Sequence, residues 1–239
     1  MRLGGPVVGG FADPERWISE LRRRGYTAAY CPVDHRADAA TVRAVANAAE
    51  RAGVVIAEVG AWSNPLSPDE ATRRSALAHC IAQLDLAERI GARCCVNISG
   101  SCAEQWDGPH AANLTEATFE RIVDSVRTII DAVKPQRTCY TLETMPWAYP
   151  NSVESYARLI QAIDRPAFAV HFDPVNLISS PERYYDNAAL IRAFVERLGP
   201  SIKSCHAKDI RLAGKLTVHL DEVRPGLGEL DYAVLLTAL

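Results

Sequence analysis

No stretch of the 239-residue chain strings together the roughly 18 apolar side chains that a membrane-spanning helix needs. The opening residues, MRLGGPVVGGFADPE, also lack a basic region followed by an apolar run. Both absences point to a cytoplasmic protein with no membrane partner. A surplus of basic charge is missing too: 26 Lys and Arg face 29 Asp and Glu, a net charge of -3. A protein that tracks phosphate backbones carries a basic footprint, so no nucleic acid is expected as a partner. The seven cysteines are odd in number and form no C-x-x-C pair, which argues against a zinc knuckle or dithiol motif and for reduced thiols. No G-x-G-x-x-G joins a first strand to its helix, because Gly4-Gly5 and Gly9-Gly10 have the wrong spacing for a dinucleotide fold. Glycine and proline are scattered and never pooled into a linker, so residues 1–239 read as a single domain.

What the chain does contain is a regular alternation. Eight apolar, β-branched runs lie at 3–8, 27–31, 54–58, 93–98, 138–143, 167–172, 201–205 and 217–223, separated by helix-period segments. Helix starts are visible at Asp13-Pro14, at Ser67-Pro68-Asp69-Glu70 and at Asn151-Ser152-Val153-Glu154; stops are visible at Gly25, Gly53, Gly91, Pro135 and Gly199. Alternating strands and helices require crossover connections and a parallel sheet. Eight such units predict an α/β fold, a (β/α)8 TIM barrel, whose last helix, from about Leu230, is short or truncated. The irregular segment 99–114 after the fourth strand is long for a compact domain and reads as a lid over the barrel mouth, with Trp106 and His110 placed to seal it.

In such a barrel the C-terminal ends of the strands converge on one site. Glu143 ends the fifth run, Asp173 the sixth and His206 the seventh, while Glu229 follows the eighth. Three carboxylates and one imidazole on one rim form a hard donor set, suited to one divalent metal ion: Mn2+, Mg2+ or Co2+, with Zn2+ as a further option. Alone, each acidic residue is as well explained as a helix cap or a surface charge. Together and without a cation they would repel one another.

Glu143, Asp173, the His206-Ala207-Lys208-Asp209 run and the Pro225-Gly226-Leu227-Gly228-Glu229 run resemble the signature of the xylose isomerase-like barrels. Within these, the resemblance is to the sugar phosphate isomerase/epimerase family that includes ketose 3-epimerases. It implies that Glu143, Asp173, His206 and Glu229 hold one divalent metal, and that the reaction moves a proton beside a carbonyl through a metal-stabilised enediolate. Glu143 and Glu229 would then be the acid/base pair, and a small-molecule sugar, sugar phosphate or polyol the substrate. Glu58 matches a glutamate that binds substrate hydroxyls; pairing with a neighbouring cation is the alternative. Trp62 and Trp147 could stack on a sugar ring or pack under loops. Arg211 is either a substrate contact or a solvated loop residue. Lys208 either contacts substrate or pairs with Asp209, which in turn could support His206. Asn176 stands where many ketose 3-epimerases carry histidine, so sugar specificity stays open. So do a dehydratase or isomerase acting on a cyclitol or keto acid, and a barrel without catalysis. An endonuclease IV-like nuclease is disfavoured by six histidines in all, few of them at strand ends. His171 reads as a core histidine, and His35 and Asp34 as loop surface. Pairing into a homo-oligomer is compatible with the resemblance, although no residue run marks an interface.

Overall fold

Aspartate caps set the first three helices. Asp13, Asp38 and Asp69 accept from the backbone N–H of Glu15, Thr41 and Thr72, starting α1 (Pro14–Arg23), α2 (Ala39–Ala52) and α3 (Glu70–Ile90). Ser67 therefore does not cap α3; its hydroxyl accepts from Asp69 N at 3.2 Å, one turn earlier. Gly53 and Gly91 end α2 and α3 at φ 66° and 76°, where a side chain would be strained. Ser152 starts α5 (Val153–Ile163) with a capping box whose return arm is Ser155, not Glu154.

The computed structural model describes residues 1–7 and 13–239. Seven parallel strands follow one another in chain order: β1 (Gly4–Gly5), β2 (Ala28–Tyr30), β3 (Val55–Gly60), β4 (Cys94–Asn97), β5 (Cys139–Glu143), β6 (Phe168–Phe172) and β7 (Ile202–Cys205). Val8, at the end of the first expected run, and Gly9-Gly10 lie outside the described residues. The remaining helices are α4 (Glu116–Val133), α6 (Pro174–Leu177), α7 (Pro181–Tyr185), α8 (Asn187–Leu198) and α9 (Tyr232–Ala238). The sheet is strongly curled: Cys94 on β4 and Ser204 on β7, with two strands between them, bring Sγ and Oγ to 3.2 Å. Helix side chains such as Trp17, Leu84, Ile122 and Phe194 fill the outer layer against it, with Phe194 stacked on Phe172 at 4.0 Å. All seven cysteines are unpaired, and no described helix is long and apolar enough to cross a membrane.

The eighth run behaves differently from expectation. Residues 217–223 supply β9 (His219–Val223), which pairs antiparallel with β8 (Asp209–Ala213), and this hairpin is a separate two-stranded sheet. The cause is connection length. The segment between Ala213 and His219 is long enough for a hairpin turn, whereas a parallel crossover takes about a dozen residues or more. Among the described residues β7 and β1 are not paired. A cavity of about 690 Å³ opens between them, lined by Gly4, Gly5, Tyr30, Glu58, Ser204 and Cys205 among others.

The segment 99–114 is pinned by two buried asparagines. Buried Asn64 donates to Ser101 O at 2.9 Å and accepts from Ser101 N at 2.9 Å, while buried Asn113 accepts from Cys102 N at 2.8 Å and donates to Gly108 O at 3.1 Å. His110 caps the short helical turn that follows by accepting from Ala112 N.

Candidate functional site

Two side chains fix the strand ends that carry the site. Tyr156 of α5 is fully buried, and its hydroxyl donates to Leu142 O at 2.6 Å while accepting from Leu142 N and His171 N. That clamps β5 to β6 one residue before Glu143. Just beyond, Thr144 Oγ1 donates to Asp173 O at 2.8 Å and accepts from Asp173 N at 3.2 Å. Asp173 then divides its oxygens: Oδ1 caps α6 by accepting from Val175 N and Asn176 N, and Oδ2 turns toward the site. The helix-cap reading of this aspartate is correct, and its second oxygen is left facing His206.

Glu143, Asp173 and His206 each offer one donor atom, and these atoms lie within 4.8 Å of one another. His206 Nδ1 is 3.0 Å from Glu143 Oε1 and 3.6 Å from Asp173 Oδ2. Lys208 Nζ reaches Asp173 Oδ2 at 2.8 Å and Glu143 Oε1 at 3.6 Å. Burial pushes the Glu143 carboxyl up from its ordinary range, with Asp173 adding to the rise against the pull of His206. Burial acts the same way on Asp173, but hydrogen bonding to His206 and the charge of Lys208 outweigh it and hold this carboxyl well below the usual range. Burial works against charge on His206 and Lys208, and the surrounding carboxylates more than offset it. The set is two buried carboxylate oxygens and one partly exposed imidazole nitrogen, converging. It fits a divalent cation with coordination positions left for a ligand.

The other expected residues divide between the site and its surroundings. Asn176 donates from Nδ2 to Glu143 Oε1 at 3.2 Å and to Thr144 O at 3.0 Å, so it holds the glutamate as well as lining the mouth. Trp62 stands 42% exposed with its ring centroid 6.4 Å from that of His206. Its place depends on Gly60, where an added Cβ would come within 2.5 Å of the Trp62 Nε1. Trp147 is partly open but donates from Nε1 to Asp107 O at 2.8 Å, tying two loops of the rim together. Glu58, only 3% exposed, faces His206 and His171 from below. Arg211 is exposed on β8. Asp209 does not pair with Lys208. Its carboxylate accepts from the N–H of Ile210, Gly226, Gly228 and Leu230 and so builds the turn after the hairpin.

Glu229 is not brought to the cluster. Its side chain is exposed, while its backbone N–H donates to Ile210 O and its carbonyl accepts from Asn187 Nδ2. It follows a hairpin and not an eighth barrel strand, so the strand-end rule does not deliver it. Two participants were not singled out from the sequence. Glu222 on β9 meets Lys208 Nζ at 3.3 Å, and Tyr30 on β2 packs edge-on toward His206 with centroids at 6.4 Å. A hairpin signal at residues 209–223 would have found the first; Tyr30, at the end of its strand, was open to the same rule that found Glu143.

Residues 18–239 match the family model described as a xylose isomerase-like TIM barrel. No protein of curated function matches the chain in sequence. Among solved structures, the 3-keto-D-glucoside 4-epimerase of E. coli superposes with a TM-score of 0.72 at 14% identity, over 99% of this chain and 85% of that one. An L-ribulose 3-epimerase gives 0.72 at 16% identity, over 100% and 76%. A structure described as the probable 3-DHS dehydratase of Bacillus anthracis gives 0.71 at 14%, over 100% and 88%. At these identities the likeness is one of fold.

Proposed function

Because the chain belongs to the xylose isomerase-like TIM barrel family, we propose that it is an enzyme that binds one divalent metal ion at Glu143, Asp173 and His206. Its reaction is proton transfer beside a carbonyl of a sugar, sugar phosphate or related polyol, as an isomerase or epimerase. The observation that carries this reading is the convergence of the three donor atoms within 4.8 Å. The bound ion supplies a Lewis acid for a carbonyl oxygen, a contribution of several kcal/mol to such reactions. The names of the neighbours, two sugar epimerases and a dehydratase, are consistent with carbonyl-directed proton chemistry.

The residues of the chain divide the work. The contacts of Glu143 with His206, Asn176 and Lys208 gather on Oε1, so Oε2 is the oxygen available to take or return a proton. Lys208 brings a fixed positive charge to the same edge of the site, where negative charge grows on substrate oxygen. Trp62 offers an apolar face at the mouth for the carbon side of a sugar, and Asn176 and Trp147 complete the rim. Glu229 is exposed and lies outside the three-residue donor group, so Glu143 is the one base proposed.

The test is solvent exchange. Incubated in D2O with Mn2+ and a panel of ketoses and cyclitol ketones, the protein should place deuterium on the carbon beside the carbonyl. Glu143→Gln should slow this at least about 100-fold, the lower end of general-base effects. Absence of exchange with every member of the panel, on protein shown to carry the ion, would overturn the reading; loss of water from the substrate would redirect it to a dehydratase.

A further inference from the structure

His206 shows a different carboxylate to each ring nitrogen. Nδ1 looks toward Glu143 and Asp173, at 3.0 and 3.6 Å, while Nε2 looks the other way, toward Glu58 Oε2 at 3.7 Å. Glu58 Oε2 is buried and has no hydrogen-bond partner among the described residues. A carboxylate oxygen removed from water calls for a donor, and His206 Nε2 faces this one at 3.7 Å.

The other oxygen of Glu58 faces His171. Oε1 lies 3.5 Å from His171 Nδ1, and that same nitrogen lies 2.6 Å from Ser204 Oγ, which in turn meets Cys94 Sγ at 3.2 Å. His171 is fully buried and packs edge-on against His206, with centroids 4.2 Å apart and planes at 74°. The row Ser204, His171, Glu58, His206 therefore runs from the barrel interior to the candidate metal ligands with little freedom for any ring to turn. Two atoms of this row, Glu58 Oε2 and His171 Nε2, are buried without a hydrogen-bond partner among the described residues.

We propose that Glu58 is the positioning carboxylate of His206: it accepts the Nε2–H, fixes the ring, and presents Nδ1 as the lone-pair nitrogen to a metal shared with Glu143 and Asp173. Histidines that ligate metals generally donate their second ring N–H to a carboxylate, carbonyl or water, and loss of that partner weakens metal binding by about 10–100-fold. On this account Glu58 does not bind substrate hydroxyls. The inference rests on the metal reading above, and its test separates the two.

The first measurement is Mn2+ binding alone, by calorimetry, on wild type and Glu58→Gln, with thermal melting to show that both are folded. Wild type should bind one ion per chain, and Glu58→Gln should bind one ion about 10–100-fold more weakly, with Glu58→Asp restoring part of the loss. Unchanged affinity with only KM raised would make Glu58 a substrate contact and overturn the inference. Two ions in wild type falling to one in the variant would make Glu58, His171 and His206 a second cation site, whose donor atoms also lie within 4.8 Å, and would overturn it equally. The second measurement needs no metal. Nitrogen-15 NMR of the wild type should show His206 protonated at Nε2, with a deshielded Nε2–H resonance that moves in Glu58→Gln. A resonance insensitive to that change overturns the positioning role even if metal binds, whereas a wild type that binds no metal but shows the coupled proton overturns the metal reading alone.

Discussion

Asp173 shows how one residue serves fold and site together, because its backbone, its Oδ1 and its Oδ2 each have a separate task. Tyr156 is the same kind of residue one layer further out. Its hydroxyl is shared by Leu142 and His171, so its removal leaves two buried backbone donors and a carbonyl without that partner. Tyr156→Phe should cost about 1–3 kcal/mol in urea unfolding with the m-value unchanged. A loss below about 0.5 kcal/mol would show that β5 and β6 do not depend on this clamp, given the usual size of neutral surface changes. At this scale the sequence was legible wherever one rule sufficed. Glu143, Asp173 and His206 sit at strand ends, and the strand-end rule brings them together. Glu58 with His171 was not legible as a pair, since they meet across the interior only because the sheet curls, and no spacing along the chain encodes that.

The hairpin of β8 and β9 is the element that sequence reading missed, and one carboxylate organises its base. Asp209 is buried, and burial alone would raise its pKa, but four backbone N–H groups outweigh this and hold it below the ordinary range. Gly228 is required beside it, since an added Cβ would lie 2.3 Å from Ile210 O and 2.4 Å from Asp209 Oδ1. A carboxyl whose folded pKa is depressed contributes stability that is fully present above its unfolded value, about 3.9, and is lost as pH falls through the folded value. Asp209→Asn should therefore destabilise the protein at pH 7 by about 1.5–3 kcal/mol, the range for hydrogen bonds to charged groups, and by progressively less as wild type is acidified. Urea unfolding at neutral and acidic pH checks this, and a penalty that does not shrink in acid would contradict it. The stretch before Glu229 reads as a barrel strand, whereas its apolar alternation serves a short antiparallel pair lying partly in solvent.

For the whole molecule, the alternation of runs and helix caps correctly specified an α/β barrel fold, and seven of the eight expected strands form its parallel sheet in chain order. The eighth differs because a period of two marks a strand without saying which sheet it joins. Buried Glu58, Glu143 and Asp173 and partly buried His206 and Lys208 lie close together toward one end of that sheet. Such a concentration is costly, and the proposed divalent ion among the carboxylates would offset that cost. The most direct test is elemental analysis of protein purified without chelator and reconstituted with Mn2+, beside Asp173→Asn prepared identically. The account predicts about one divalent ion per chain in the wild type, at the stoichiometry expected of a single site, and essentially none in the variant, with both proteins folded. A wild type that retains no ion, or a variant that retains it fully, would contradict the account at its centre.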